Sequence, residues 1–216
     1  VRDQPSADLL TELGVPRVVR AADLGWLIDP PIRQGSGVLA VCLRNPQTPR
    51  WWPGALRPAR RTPDATITAL AVAIDETATT TGLTTRLVAL DPVNDHLLHQ
   101  QVAERMTTCV ETRCPSLDGL LTEFADVEAT ATMRYHGAVA AALAGAPVAM
   151  LAFSPKLTAL ADDLGSAAVT THDLTDLPRA VSKALAGTDH LTEKVEQLAD
   201  LAERNATVLD DLLGAA

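Results

Sequence analysis

Between residues 38 and 186 short apolar runs alternate with helix-patterned stretches, and that alternation limits the folds open to the chain. Val38-Leu-Ala-Val-Cys-Leu43 is apolar at every position, which suits a strand covered on both faces. Further strands are expected at Thr85 to Leu90, Cys109 to Thr112, Asp126 to Thr132, Pro147 to Phe153 and Ala167 to Thr171. Helical spacing is found from Thr66 to Thr79, Asp95 to Met106, Leu117 to Phe124 and Ala138 to Gly145, and again after Ser154 up to Gly165 and from Asp176 to Leu185. Strand and helix in turn give a doubly wound, mostly parallel α/β sheet of the Rossmann-like type.

The ends read differently. Val1-Arg2-Asp3 resembles the tail of a strand, Pro5 to Leu13 a helix stopped by Gly14, and Val15 to Val19 another short strand. Residues 1–34 are too few to bury a core of their own. They are expected to be a remnant of an N-terminal domain plus linker, with most of that domain absent. Residues 35–187 form the Rossmann-like domain, and 188–216 an amphipathic helix with Leu191, Val195, Leu198 and Leu201 at helical spacing. Gly35-Ser36-Gly37 precedes a strand instead of following one, so it is not a dinucleotide fingerprint.

Charge and cysteine usage exclude several function classes. The 216 residues carry a formal charge of −9, which argues against nucleic acid as a partner. The three cysteines, Cys42, Cys109 and Cys114, form no zinc or CxxC pattern and suit a reducing compartment. His96 and His99 share a helix face but lack the carboxylate–histidine set of a metal site, and no metal is expected. The opening residues show no signal-peptide pattern, and the run Ala138 to Phe153 is broken by Gly145 and Pro147. A cytoplasmic protein is expected, with room for peripheral association at the inner membrane face.

Chemistry concentrates where strands end. Met133-Arg134-Tyr135-His136-Gly137 lies at one strand–helix seam, and Ser154-Pro155-Lys156 opens the helix after the next strand. Ligands of open α/β sheets bind outside the carboxyl ends of the strands, and helix N-termini there attract anions. Two cations and an imidazole at adjacent strand ends suit a phosphate or carboxylate and a proton transfer. The same residues equally suit surface ion pairs, and spacing does not choose between the two. Asp91 and Asp95 follow another strand end, and Trp51 and Trp52 suit either a sugar site or a packed loop.

The ordered set Val1-Arg2-Asp3-x-x-Ser6, Met133-Arg134-Tyr135-His136-Gly137, Gly145-Ala146-Pro147-Val148 and Phe153-Ser154-Pro155-Lys156 with Gly165 resembles the polysaccharide pyruvyl transferase family. The strand ending at Arg44 and the Asp95 segment fit as well. Tyr135 stands where that family commonly has leucine, and Phe153-Ser154 where it commonly has Tyr-Asp. The resemblance implies one half of a two-domain GT-B-like fold. It also implies transfer of pyruvate from phosphoenolpyruvate to two hydroxyls of a cell-envelope sugar, as a cyclic ketal. His136 is then the general acid, with Arg2, Arg134, Lys156, Arg44 and Asp95 on the substrate side. The catalytic base is expected in the absent N-terminal part. Phosphoenolpyruvate is the donor, a glycan or lipid-linked sugar the acceptor, and no cofactor is needed. Two other readings are a nucleotide-sugar glycosyltransferase of the same architecture and an inactive relative that serves as a binding subunit in envelope synthesis.

Overall fold

A computed structural model describes residues 1–32, 34, 37–44, 62–116 and 119–214. Gly35, Ser36, Trp51 and Trp52 lie outside the described residues.

Six parallel strands form one sheet in the order β3-β2-β1-β4-β5-β6. They are β1 (Val38–Cys42), β2 (Thr84–Val88), β3 (Val110–Arg113), β4 (Val127–Thr132), β5 (Val148–Leu151) and β6 (Ala168–Thr171). The helices are α1 (Gln4–Glu12), α2 (Asp64–Thr81), α3 (His96–Ala103), α4 (Tyr135–Leu143), α5 (Pro155–Leu164), α6 (Leu177–Leu185) and α7 (Leu191–Gly214). The expected doubly wound, Rossmann-like class is the observed one.

Side chains of a strand alternate between faces, so each central strand feeds two cores. Leu39 and Val41 of β1 join α2, α3 and α6 through Ile67, Leu70, Leu98 and Val181. Val38, Ala40 and Cys42 join α4, α5 and α7 through Val139, Leu160, Leu198 and Ala202. All five β1 residues are buried, as an all-apolar strand requires. The chain leaves β1 toward β2 on one side and later returns to β4 on the other. The topological switch point therefore lies between β1 and β4, and their carboxyl ends open the crevice where such folds bind ligands.

Several local expectations are corrected. Val1–Asp3 and Val15–Val19 are not strands. Asp3 N-caps α1 by accepting from the Ser6 N–H at 2.8 Å, which turns the chain away after a single paired residue. That residue is Val1, whose amine donates to Val19 O at 2.9 Å and whose carbonyl accepts from Ala21 N at 2.8 Å. Of the helix expected over 117–124, the described residues 119–124 give a 3-10 turn over Leu121–Phe124, and 117 and 118 lie outside the described residues. Asp95 and Ser154 hold the N-cap positions of α3 and α5, but neither side chain bonds its own helix. The Asp95 carboxylate is engaged elsewhere. α4 begins at Tyr135 rather than Ala138, so His136 belongs to its first turn.

Residues 20–28 lie against the α4–α7 side of the sheet. Trp26 is 2% exposed within that core, Asn205 of α7 donates to Ala22 O at 3.0 Å, and Arg20 pairs with Asp163 of α5 at 2.5 Å.

Candidate functional site

The turn from β4 into α4 is built from inside. Thr132 Oγ1 accepts the Arg134 N–H and donates to Arg134 O, both at 2.9 Å, so the last strand residue folds the next two back. Gly137 then lets α4 sit directly on the strand ends. A Cβ at that position would stand 2.8 Å from Thr132 Oγ1, 3.1 Å from Cys42 Sγ and 3.1 Å from Leu90 Cδ1. Arg134 and His136 leave this turn in two directions, and each enters its own cluster.

Arg134 turns toward β2. Its Nη2 bonds Asp95 Oδ1 and lies 3.9 Å from Asp91 Oδ2. Asp95 is fully buried and also accepts the Asp91 N–H at 3.0 Å. Burial raises its carboxyl above the ordinary value against the pull of Arg134. Beneath this pair His99 is fully buried, and its Nε2 accepts the Leu43 N–H at 3.0 Å. Burial pushes the His99 imidazole down to about 4, so it is neutral, with its proton on Nδ1. Together the cluster fixes the ends of β1 and β4, next to which half-buried Arg44 leaves the sheet. His96, one turn before His99, instead contacts Gln100 Nε2 at 3.0 Å through its own Nε2. Among the described residues no group of three or more His, Cys, Asp or Glu side chains is placed to hold a metal ion.

The second cluster gathers around Tyr135. The Arg2 guanidinium lies over its ring at 4.7 Å and Lys156 Nζ at 5.5 Å, both within cation–π reach. His136 meets the ring edge-on, centroids 5.5 Å apart. Burial, then the Asp23 charge, pushes the Tyr135 hydroxyl up to about 12, so it remains a phenol. Asp23 accepts from Arg2 Nη1 at 3.0 Å and lies 3.7 Å from His136 Nε2. His136 itself is 65% exposed. It opens onto an apolar groove of about 540 Å³ that follows α4 to Leu143 and is walled by Ile28, Leu90 and Leu121.

The sequence-derived set thus falls into two groups. Arg2, His136 and Lys156 meet at Tyr135, while Arg134 meets Asp95, and Arg44 stands at the neighbouring strand end. Asp23 was missed by sequence reasoning. It looks like the N-cap of a turn, which it also is, and its partners lie far along the chain. An exposed imidazole on the same tyrosine as two cations is a set that can bind an anionic ligand and deliver a proton to it.

The family model described as polysaccharide pyruvyl transferase matches residues 1–155, which include every member of both clusters except Lys156. The chain belongs to the polysaccharide pyruvyl transferase family. No curated protein matches it. Solved structures similar to the chain include glycosyltransferases. The crystal structure of TarM has a TM-score of 0.57 at 11% identity, covering 99% of this chain and 42% of that one. AviGT4, a glycosyltransferase involved in avilamycin A biosynthesis, has a TM-score of 0.56 at 17% identity over 93% of this chain and 58% of its own. Phytolacca americana UGT2, complexed with UDP-2fluoro-glucose and pterostilbene, has a TM-score of 0.54 at 12% identity over 100% and 52%. The chain spans about half the length of the structures it matches. This likeness is one of fold: the polysaccharide pyruvyl transferase chain shares its Rossmann-like sheet with GT-B glycosyltransferases.

Proposed function

We propose that the protein transfers pyruvate from phosphoenolpyruvate onto two hydroxyls of a sugar in a cell-envelope glycan, forming a cyclic ketal. The observation that supports this most is the placement of Arg2 and Lys156 over one tyrosine ring, with His136 at its edge. Phosphoenolpyruvate carries a phosphate and a carboxylate, and two cations that share one tyrosine ring match two anions in number and charge.

In this scheme His136 donates a proton to the enol methylene, which becomes the methyl group. Positive character then develops at the adjacent carbon. One sugar hydroxyl adds to that carbon, the bond to the phosphate oxygen breaks, and the second hydroxyl closes the ketal. Of the two hydroxyl protons released, one replaces the proton given by His136 and one leaves with phosphate. Arg2 and Lys156 stabilise the departing phosphate and hold the carboxylate. Arg134, fixed by Asp95, supports the crevice floor with Arg44. The scheme calls for neither metal nor organic cofactor. The groove beside His136 is the side from which the acceptor approaches.

Phosphate release on supplying phosphoenolpyruvate with candidate glycan acceptors tests this in the full-length protein. His136→Ala should lower the rate by about 100-fold or more, the usual contribution of a placed general acid. Equal release from both proteins would remove His136 from the reaction. A second reading, nucleotide-sugar glycosyl transfer, is favoured by the glycosyltransferase fold of the solved structures. Tight binding of a UDP-sugar without binding of phosphoenolpyruvate would establish that reading instead.

A further inference from the structure

The scheme above leaves one carboxylate of the cluster without a task. Asp23 precedes the 3-10 turn Leu24–Leu27 and is 17% exposed. Its Oδ1 accepts the Gly25 N–H at 3.0 Å and stands 3.7 Å from His136 Nε2, while Oδ2 accepts from Arg2 Nη1 at 3.0 Å. The segment around it is anchored by buried Trp26 and by the Asn205 bond to Ala22 O. Gly25 lets this turn close on α4: a Cβ there would stand 3.2 Å from Asp23 Oδ1 and 3.5 Å from Val139 Cγ1. The carboxylate is therefore fixed by backbone and core, whereas the two groups it touches are more exposed than it is.

We propose that Asp23 is the positioning residue of the site, aiming the His136 ring and holding Arg2 over Tyr135. This rests on the pyruvyl-transfer reading. An exposed imidazole turns about two torsions, and an error of about 1 Å in a reacting group costs on the order of 100-fold in rate. A third group that orients the proton-transferring one is the usual remedy. The 3.7 Å separation exceeds a hydrogen bond but lies within ion-pair range, so the pair tightens when the imidazole is protonated, which is the form the proposed step requires. Through Oδ2 the same carboxylate sets where the donor's anions are held. One side chain thus fixes both the proton and the substrate that receives it.

Asp23→Asn tests this, because the amide oxygen still accepts the Gly25 N–H and preserves the turn while the charge is lost. In the full-length protein the variant should lower kcat for phosphoenolpyruvate-dependent phosphate release by about 10- to 100-fold. In a His136→Ala background the same substitution should cost at least about 3-fold less, since only the Arg2 contact is then left to hold. Equal losses in both backgrounds, or no loss in the first, would overturn the proposal. A readout independent of turnover is the ring 1H–13C resonance of His136 at fixed pH, assigned by its absence from His136→Ala. Asp23→Asn should move it and leave His190 in place. An unmoved His136 resonance overturns the proposal whatever the reaction. No phosphate release from the unaltered protein would instead overturn the pyruvyl-transfer reading, and the resonance alone would then decide the role of Asp23.

Discussion

Tyr135 is the contact that Arg2, His136 and Lys156 share. Two cations lie over its ring, and its hydroxyl, pushed up to about 12, does not ionise near neutral pH. Tyr135→Leu, which installs the residue the family commonly carries here, removes both cation–π contacts. At about 0.5–1 kcal/mol each, the loss should weaken phosphoenolpyruvate binding by roughly 5- to 30-fold, measured as Kd by calorimetry, while Tyr135→Phe stays close to the unaltered protein. His99 makes the complementary prediction for stability. Its folded value of about 4 lies below the ordinary 6.5. Above pH 6.5 both folded and unfolded chains hold it neutral, and its contribution is complete. As pH falls from 6.5 toward 4 the unfolded chain gains a proton that the folded one refuses, so stability is lost across that window, by up to about 3 kcal/mol. His99→Gln still offers an acceptor to the Leu43 N–H. Urea melts between pH 7 and 4.5 should therefore show a flatter pH dependence for it, and equal slopes would contradict the burial account.

At the scale of elements, the turn between β4 and α4 decides whether the two clusters coexist. Thr132 is tied to Arg134 by two bonds, so it cannot retreat from a methyl group placed on Gly137. Gly137→Ala should cost about 1–3 kcal/mol, the usual penalty of overpacking, read as a lowered Tm. The Arg-x-His seam was legible in the sequence because an apolar strand runs into it and an alanine-rich helix runs out. The start of the helix was not. Met133 to Gly137 look polar enough for a loop, and only the close approach of Gly137 and the burial of Tyr135 draw the first turn inward. The pairing of Arg134 with Asp95 was equally hidden. Asp95 looks like a helix cap, and its carboxylate leaves that task for a cation thirty-nine residues away.

At the scale of the whole molecule, alternation of strand and helix was enough to predict a doubly wound sheet, because continuous apolar runs such as Val38 to Leu43 fit little else. The role of residues 20–28 was not legible, since nothing local in Asp23 or Trp26 reveals that they pack beside α4. Trp26→Ala should destabilise the protein by about 3–5 kcal/mol, as a buried aromatic does, and it should reduce turnover at temperatures where the fold is intact. Loss of stability with unchanged turnover would separate the segment from the site. The central claim is that phosphoenolpyruvate binds at Arg2 and Lys156, and the ring of Tyr135, its resonances assigned by their absence from Tyr135→Phe, makes it directly measurable. Titrating phosphoenolpyruvate against the full-length protein while following the ring 1H–13C resonances of Tyr135 should give a saturable shift that Lys156→Ala and Arg2→Ala abolish. Resonances that stay fixed with phosphoenolpyruvate yet move with a UDP-sugar would contradict it.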